Sequence, residues 1–258
     1  MENPGEAEKL AAQSFFRGLQ ALKDGQLGPA EAAFRDALRL APGRPSVLTN
    51  LSIVLTRLGR LDEALAEAEA ARRQEPGNPL HGLQAGAVLL ALGRNGEALA
   101  VLDAVLAKGE AIAELHYHRA TALRRLGRLD EALAGFERAI ALRGDYGEAH
   151  AGRAAALLDV DRAEEALAGF DRAIAAGAAR AETHAGRGRA LRRLGRATQA
   201  LQSYDRAIAL DPALPETYTG RGNALEHAWG IIHTLPPVWF RKQNGSPWQR
   251  LGWPLPRC

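Results

Sequence analysis

Cysteine is all but missing from this 258-residue chain: only Cys258 is present, which excludes intrachain disulfides and suits a reducing cytoplasm. Aromatic residues make up 5% of it, and none interleave with arginine to build the stacking platforms that hold single-stranded nucleic acid. Long apolar runs are missing too. The longest, Ala85–Leu92, is far short of the roughly 20 residues a membrane helix needs. The opening MENPGEAEKL is polar and acidic, unlike a secretory leader. No phosphate loop, zinc motif or nucleophile elbow occurs, so neither an active site nor a cofactor is expected. Gly186-Arg187-Gly188 and Gly220-Arg221-Gly222 imitate the start of a dinucleotide loop, but no strand precedes them and the third glycine is missing.

Acid is absent from the end of the chain. All 30 acidic residues lie at or before Glu226, together with 29 of the 33 basic ones. The body therefore carries a net charge of −1, and the overall basicity comes from Arg241, Lys242, Arg250 and Arg257. Nucleic acid is not an expected partner on that balance, and neither is a membrane.

What is present is repetition. Leu126–Leu142, LGRLDEALAGFERAIAL, is echoed 68 residues earlier at Leu58–Ala71 and 68 residues later from Leu194. Gly25, Gly59, Gly93, Gly127 and Gly195 fall on a 34-residue period, with Asp161 in the one gap. Such a period marks an array of small stacked units. With the glycine placed at position 15, the units are 11–44, 45–78, 79–112, 113–146, 147–180 and 181–214, and a seventh begins at Pro215. Position 20 is always alanine, and position 8 is always small (Gly18, Ser52, Gly86, Ala120, Ala154, Gly188, Gly222). Position 11 is leucine from the second unit onward, position 24 is usually aromatic (Phe34, Phe136, Phe170, Tyr204), and Pro42, Pro76 and Pro212 close three units. The spacing predicts two helices flanking each LGR turn. The small positions let the helix backbones approach, and positions 11 and 24 fill the seam.

This pattern resembles the tetratricopeptide repeat family across residues 11–225. The resemblance implies an all-α, right-handed solenoid of stacked antiparallel helix pairs. The array is expected over 11–226, after an N-terminal segment 1–10 and before a tail 227–258. All four tryptophans and five of the thirteen prolines fall in that irregular basic tail. So abrupt a change of vocabulary in mid-repeat reads as a shifted reading frame or gene-fragment end, with a proline- and tryptophan-rich ligand tail as the alternative. Unit three, 79–112, is the most degenerate.

At 100° per residue, positions 4, 7, 8 and 11 of each first helix share one face, and 2, 5, 9, 12 and 13 the opposite one. The first set packs inward. The second lines up across the stack, and the resemblance implies that it forms a concave peptide-binding groove. Its lining is expected to include Thr49, Asn50, Arg57, Gln84, Tyr117, His118, Thr121, Arg124, Arg125, Arg189, Arg192 and Arg193. Arg57, Arg124, Arg125, Arg192 and Arg193 also sit in last helical turns, where a cation offsets the dipole, whereas Arg189 is mid-helix and has no such excuse. The family's chaperone-tail binders clamp a terminal carboxylate with lysine and asparagine. Asn50 matches one asparagine, but Phe15 and Leu19 occupy the places of the first unit's pair. His116, His150 and His184, at position 4, take the place of the family's aromatic residue in packing; a column of them cannot converge on one metal ion.

One charge pattern runs inside the stack. Arg119, Arg153, Arg187 and Arg221 occupy position 7, and the preceding unit supplies Asp103, Glu137, Asp171 and Asp205 at position 25. In antiparallel helix pairs these two positions lie level, which predicts a ladder of ion pairs. The alternative is that the arginines snorkel outward and the acids are ordinary surface charge. Arg17, with no preceding unit, should point to solvent. The functional expectation is a cytoplasmic, non-enzymatic scaffold that holds a protein or peptide segment, with an acidic one favoured. The alternative is the recognition arm of a truncated multidomain enzyme such as a bacterial glycosyltransferase.

Overall fold

The computed structural model describes residues 4–109 and 112–234, with side chains through Glu226. Among the described residues it holds thirteen α-helices and no strand. They are α1 (Pro4–Lys23), α2 (Leu27–Leu40), α3 (Pro45–Arg57), α4 (Leu61–Gln74), α5 (Pro79–Ala91), α6 (Asn95–Leu106), α7 (Ala113–Arg125), α8 (Leu129–Leu142), α9 (Gly147–Asp159), α10 (Ala163–Ala175), α11 (Ala181–Arg193), α12 (Ala197–Leu210) and α13 (Pro215–Thr234). Two compact units result, α1–α9 up to Arg162 and α10–α13 from Ala163. The architecture is an all-α helical repeat solenoid.

The LGR turn explains why the helices stop and restart on a fixed period. The Gly59 N–H donates to the Thr56 carbonyl (3.1 Å), and the Arg60 N–H donates to the Leu55 carbonyl (2.9 Å). These paired backward bonds are a Schellman stop, which needs a left-handed residue just past the helix. Gly59 supplies it with φ of 77°. Asp161 fills the same role at φ 60°, a conformation aspartate tolerates better than bulkier side chains. Its N–H still donates to the Leu158 carbonyl at 3.1 Å. The arginine of the turn then begins the next helix and pairs forward with its first turn, as Arg60 does with Glu63 and Arg128 with Glu131.

Packing follows the small and large positions. The position-20 alanines Ala30, Ala64, Ala98, Ala132, Ala166 and Ala200 are all fully buried. Position 24 acts as a wedge between two first helices. A Cβ on Gly18 would come within 2.5 Å of the Phe34 ring in the same repeat. One on Gly152 would meet the Phe136 ring of the preceding repeat at 2.5 Å, and Gly186 stands in the same relation to Phe170 at 2.4 Å. In unit three Leu102 replaces the aromatic, fully buried against Gly86. The degenerate unit keeps the fold because the seam stays filled.

The helices run further than the repeat pattern at both ends. α1 begins at Pro4, so most of the expected N-terminal segment belongs to it. α13 continues through Thr234, so residues 227–234 are helical rather than part of an irregular tail. The physical reason lies in His227–Thr234, which contains no proline; the first breakers are Pro236 and Pro237. The rest of the tail lies outside the described residues. No helix among them is long and apolar enough to cross a membrane.

Candidate functional site

Within the first unit, α1, α3, α5 and α7 each pack directly on the next first helix, and in the second unit α11 packs on α13. The second helices of either unit do not pack on one another among the described residues. Long side chains such as Arg35 to Glu63 (3.3 Å) and Arg60 to Glu31 (2.7 Å) bridge them instead. The first helices therefore form the tight side of each unit, and the second helices are splayed, with crevices between them.

The residues expected to line a groove divide into three groups. Thr49 is a correction. It is only 9% exposed, and its Oγ1 lies 2.7 Å from His81 Nδ1 on α5. His81, itself 3% exposed, reaches Glu75 through Nε2 at 2.9 Å. This polar chain stitches α3 to α5, so Thr49 lines no surface. A second group is engaged within the scaffold. Asn50 donates to the Ser46 carbonyl (2.8 Å), Gln84 to Ser52 Oγ (3.1 Å), and Thr121 to the Tyr117 carbonyl (2.9 Å). Arg124 pairs with Asp159 one repeat on (2.9 Å), and Arg125 donates to the Leu90 carbonyl one repeat back. Arg192 lies beside the buried Tyr204 hydroxyl, and Arg193 also makes interactions. Only Arg57 and Arg189 are exposed with no hydrogen-bond or ion-pair partner among the described residues.

Tyr117 and His118 form a half-buried cluster on α7, with ring centroids 5.0 Å apart. Tyr117 continues to Phe136 (6.0 Å) and Tyr146 (5.2 Å). The Arg143 guanidinium sits 3.6 Å above the Tyr146 ring and holds Glu114 at 2.7 Å. Burial pushes the His118 imidazole down to about 4, against the pull of Glu114, so it is neutral near pH 7.

All four rungs of the charge ladder are present. Arg119 reaches Asp103 (2.5 Å), Arg153 Glu137 (2.8 Å), Arg187 Asp171 (2.7 Å) and Arg221 Asp205 (2.6 Å). The arginine side chains are 25–35% exposed, so the rungs are partly open to solvent rather than in the core. Arg17 is 68% exposed, with Asp36 at 3.9 Å. His116 and His184 are half-buried near the ladder arginines Arg119 and Arg187 and are not core aromatics. Sequence reading missed the exposed arginines beside them, Arg138 and Arg206. The signal was available, since position 26 reads Arg138, Arg172 and Arg206 in successive repeats. Also missed was Leu80 at position 2, 55% exposed on the first-helix side. No group of three or more histidine, cysteine or acidic side chains that could hold a metal ion occurs among the described residues.

Family models described as Tetratricopeptide repeat match residues 21–87 and 83–149, and one described as TPR repeat matches 188–227. The chain belongs to the tetratricopeptide repeat family. Members of this family are protein–protein interaction scaffolds. No curated protein matches the chain as a relative. Among solved structures, the APC/C hetero-tetramer Cut9-Hcn1 aligns with a TM-score of 0.78 at 15% identity, over 83% of this chain and 42% of that one. This tetratricopeptide chain thus spans about two fifths of that protein's length. The type IV pilus biogenesis factor PilW aligns at 0.70 and 18% identity, over 81% and 97% of the two chains. YrrB, a TPR protein with an unusual peptide-binding site, aligns at 0.51 and 22% identity, over 75% of this chain and all of that one. At these identities the likeness shows the fold alone.

Proposed function

We propose that the first-helix side of each unit binds a peptide or protein segment, and that the chain acts as a non-enzymatic scaffold. The observation that carries this is one exposed guanidinium in each unit, Arg57 in the first and Arg189 in the second, which no group among the described residues satisfies. Arg124 and Arg125, by contrast, are spent on holding repeats together. In the first unit Leu80 adds an exposed apolar contact on that side, of the kind that a partner covers. An acidic segment fits either cation, and a cytoplasmic setting accords with the near-absence of cysteine. YrrB, with its own peptide-binding site, is a precedent for this use of the fold.

The test is selection of binding peptides on the full-length protein, followed by titration against Arg57→Glu, Arg189→Glu and Leu80→Asp variants. Acidic peptides should emerge, and each charge reversal should weaken binding by about tenfold, some 1.4 kcal/mol, with melting temperature unchanged. Peptides that bind the double charge reversal as well as the parent would remove the groove from the contact.

A further inference from the structure

The crevices on the second-helix side hold a constellation that the groove does not use. Between α10 and α12, over a floor of α11, lies a crevice of about 340 Å³ lined by Asp171, His184, Arg187, Ser203 and Arg206. Arg187 donates from Nε to Asp171 (2.7 Å) and from a second nitrogen to Ser203 Oγ (2.8 Å). Ser203 is 3% exposed, so a polar group lies at the bottom of the crevice. Arg206 stands at its edge, exposed and with no partner among the described residues. The two guanidiniums outweigh the single carboxylate, leaving one uncompensated positive charge beside an imidazole. The same repeat positions hold Asp103 on α6, His116 and Arg119 on α7 and Arg138 on α8, with Arg119 2.5 Å from Asp103 and both arginines acting on His116, while Gly135 replaces the serine.

We propose that each of these two clusters binds one phosphate-type dianion, held by the unpaired arginine (Arg206 or Arg138), the ladder arginine beside it and the histidine ring. Three donor side chains, two from one helix and one from the next, match an anion with three equivalent oxygens better than a two-oxygen carboxylate. The charge argument agrees: once the histidine is protonated, two positive charges meet two negative ones. Burial holds the His184 pKa below its ordinary value, and the positive charges of Arg206 and Arg187 depress it further; His116 is depressed in the same order by burial, Arg138 and Arg119. Asp171 from α10, Arg187 from α11 and Arg206 from α12 are the charged groups facing His184. A bound dianion reverses the arginine effect, so the histidine gains a proton and binding tightens as pH falls, until the phosphate itself takes up its second proton at about pH 6–7. The same phosphate chemistry could be carried by a phosphorylated side chain of a partner or by free phosphate.

The test is an NMR titration of the histidine rings in the full-length protein with inorganic phosphate, against sodium acetate at equal ionic strength. Phosphate should raise the apparent pKa values of His184 and His116 by about one unit. The buried His81 should not respond. Arg206→Gln should weaken phosphate binding at His184 by about tenfold while leaving His116 unaffected, and Arg138→Gln should do the reverse. Both arginines are exposed, so an unchanged thermal melt verifies that each variant is folded. An equal response to acetate, or an undiminished response in Arg206→Gln, overturns the proposal. A phosphoserine peptide that half-saturates His184 below the phosphate concentration assigns the site to a protein-borne monoester, and equal half-saturation assigns it to free phosphate. Tighter displacement by a single-stranded oligonucleotide, whose phosphates are singly charged diesters, overturns the dianion assignment.

Discussion

Helices α5 and α11 are both first helices with the same turn after them, yet they share almost no chemistry. α5 reads PLHGLQAGAVLLA, with no charge in its first or last turn, whereas α11 reads AETHAGRGRALRR. Each keeps a glycine at position 8, pressed on the residue at position 24: Gly86 on Leu102 and Gly188 on Tyr204. Each buries the leucine at position 11. What differs is the crevice each helix floors. The one over α5, of about 360 Å³, is lined by Leu65, Leu89 and Val101, and its charges cancel as Glu69 with Arg72 and Arg94 with Glu97. The one over α11 is polar and leaves Arg206 unpaired. Architecture in this chain resides in a few size-matched positions, and the remaining positions are free to carry ligand chemistry.

If that division is right, the largest effect should come from the seam. Phe136→Ala, at a fully buried position, should cost roughly 3–5 kcal/mol and loosen the neighbouring repeats, which each unit helps to stabilise. Chemical denaturation of the variant measures it. A loss below about 1 kcal/mol would mean that the seam is not what holds the repeats.

A middle-sized effect should come from the polar chain of α3 and α5, a device the α11 region lacks. His81→Leu leaves the buried Thr49 hydroxyl without its partner and should cost about 1–3 kcal/mol. Adding Thr49→Val should recover much of that loss, because no buried polar group is then stranded. A double variant no more stable than His81→Leu alone would show that Thr49 is satisfied elsewhere.

The α7 cluster makes the comparison pH-dependent. His118 titrates at about 4 in the folded chain against an ordinary 6.5, because burial disfavours its charge. Between these values the unfolded chain binds the extra proton, so stability is present above about pH 6.5 and is lost as pH falls toward 4. Melting temperature should fall by roughly 2–4 °C per kcal/mol lost over that window, and His118→Phe should flatten the slope. An unchanged slope would place the acid sensitivity in other groups.

Repeat register, helix pairing and the core were legible because they depend on size at fixed spacing, as at Ala132, Phe136 and Gly127. The ladder was legible for a related reason: a level pair in antiparallel helices is fixed by geometry alone. The groove was less so. A helical wheel places Thr49 on the free side, but it cannot show that His81 reaches across from the next repeat. Nor can it show that Arg125 finds the Leu90 carbonyl 35 residues back. Side chains long enough to leave their own repeat escape a reading made within one repeat. Arg138 and Arg206 escaped for another reason, since their position lies on second helices, where no surface was expected.

The smallest effect sharpens the comparison most, because it asks whether the ladder belongs to architecture or to the free positions. Ala85 stands in α5 where Arg119, Arg153 and Arg187 stand in later repeats, and its repeat folds without a rung. Glu137 is more than half exposed at its side chain, so water screens the Arg153–Glu137 pair despite its 2.8 Å separation. A double-mutant cycle of Arg153→Ala and Glu137→Ala should therefore give a coupling of only about 0.2–1 kcal/mol, shrinking further at 1 M salt. Arg153→Ala alone should cost somewhat more than the coupling, because its aliphatic stem also covers apolar surface. A coupling above about 2 kcal/mol that survives high salt would mean the rung is effectively desolvated, and the ladder would then count with Phe136 as part of the scaffold.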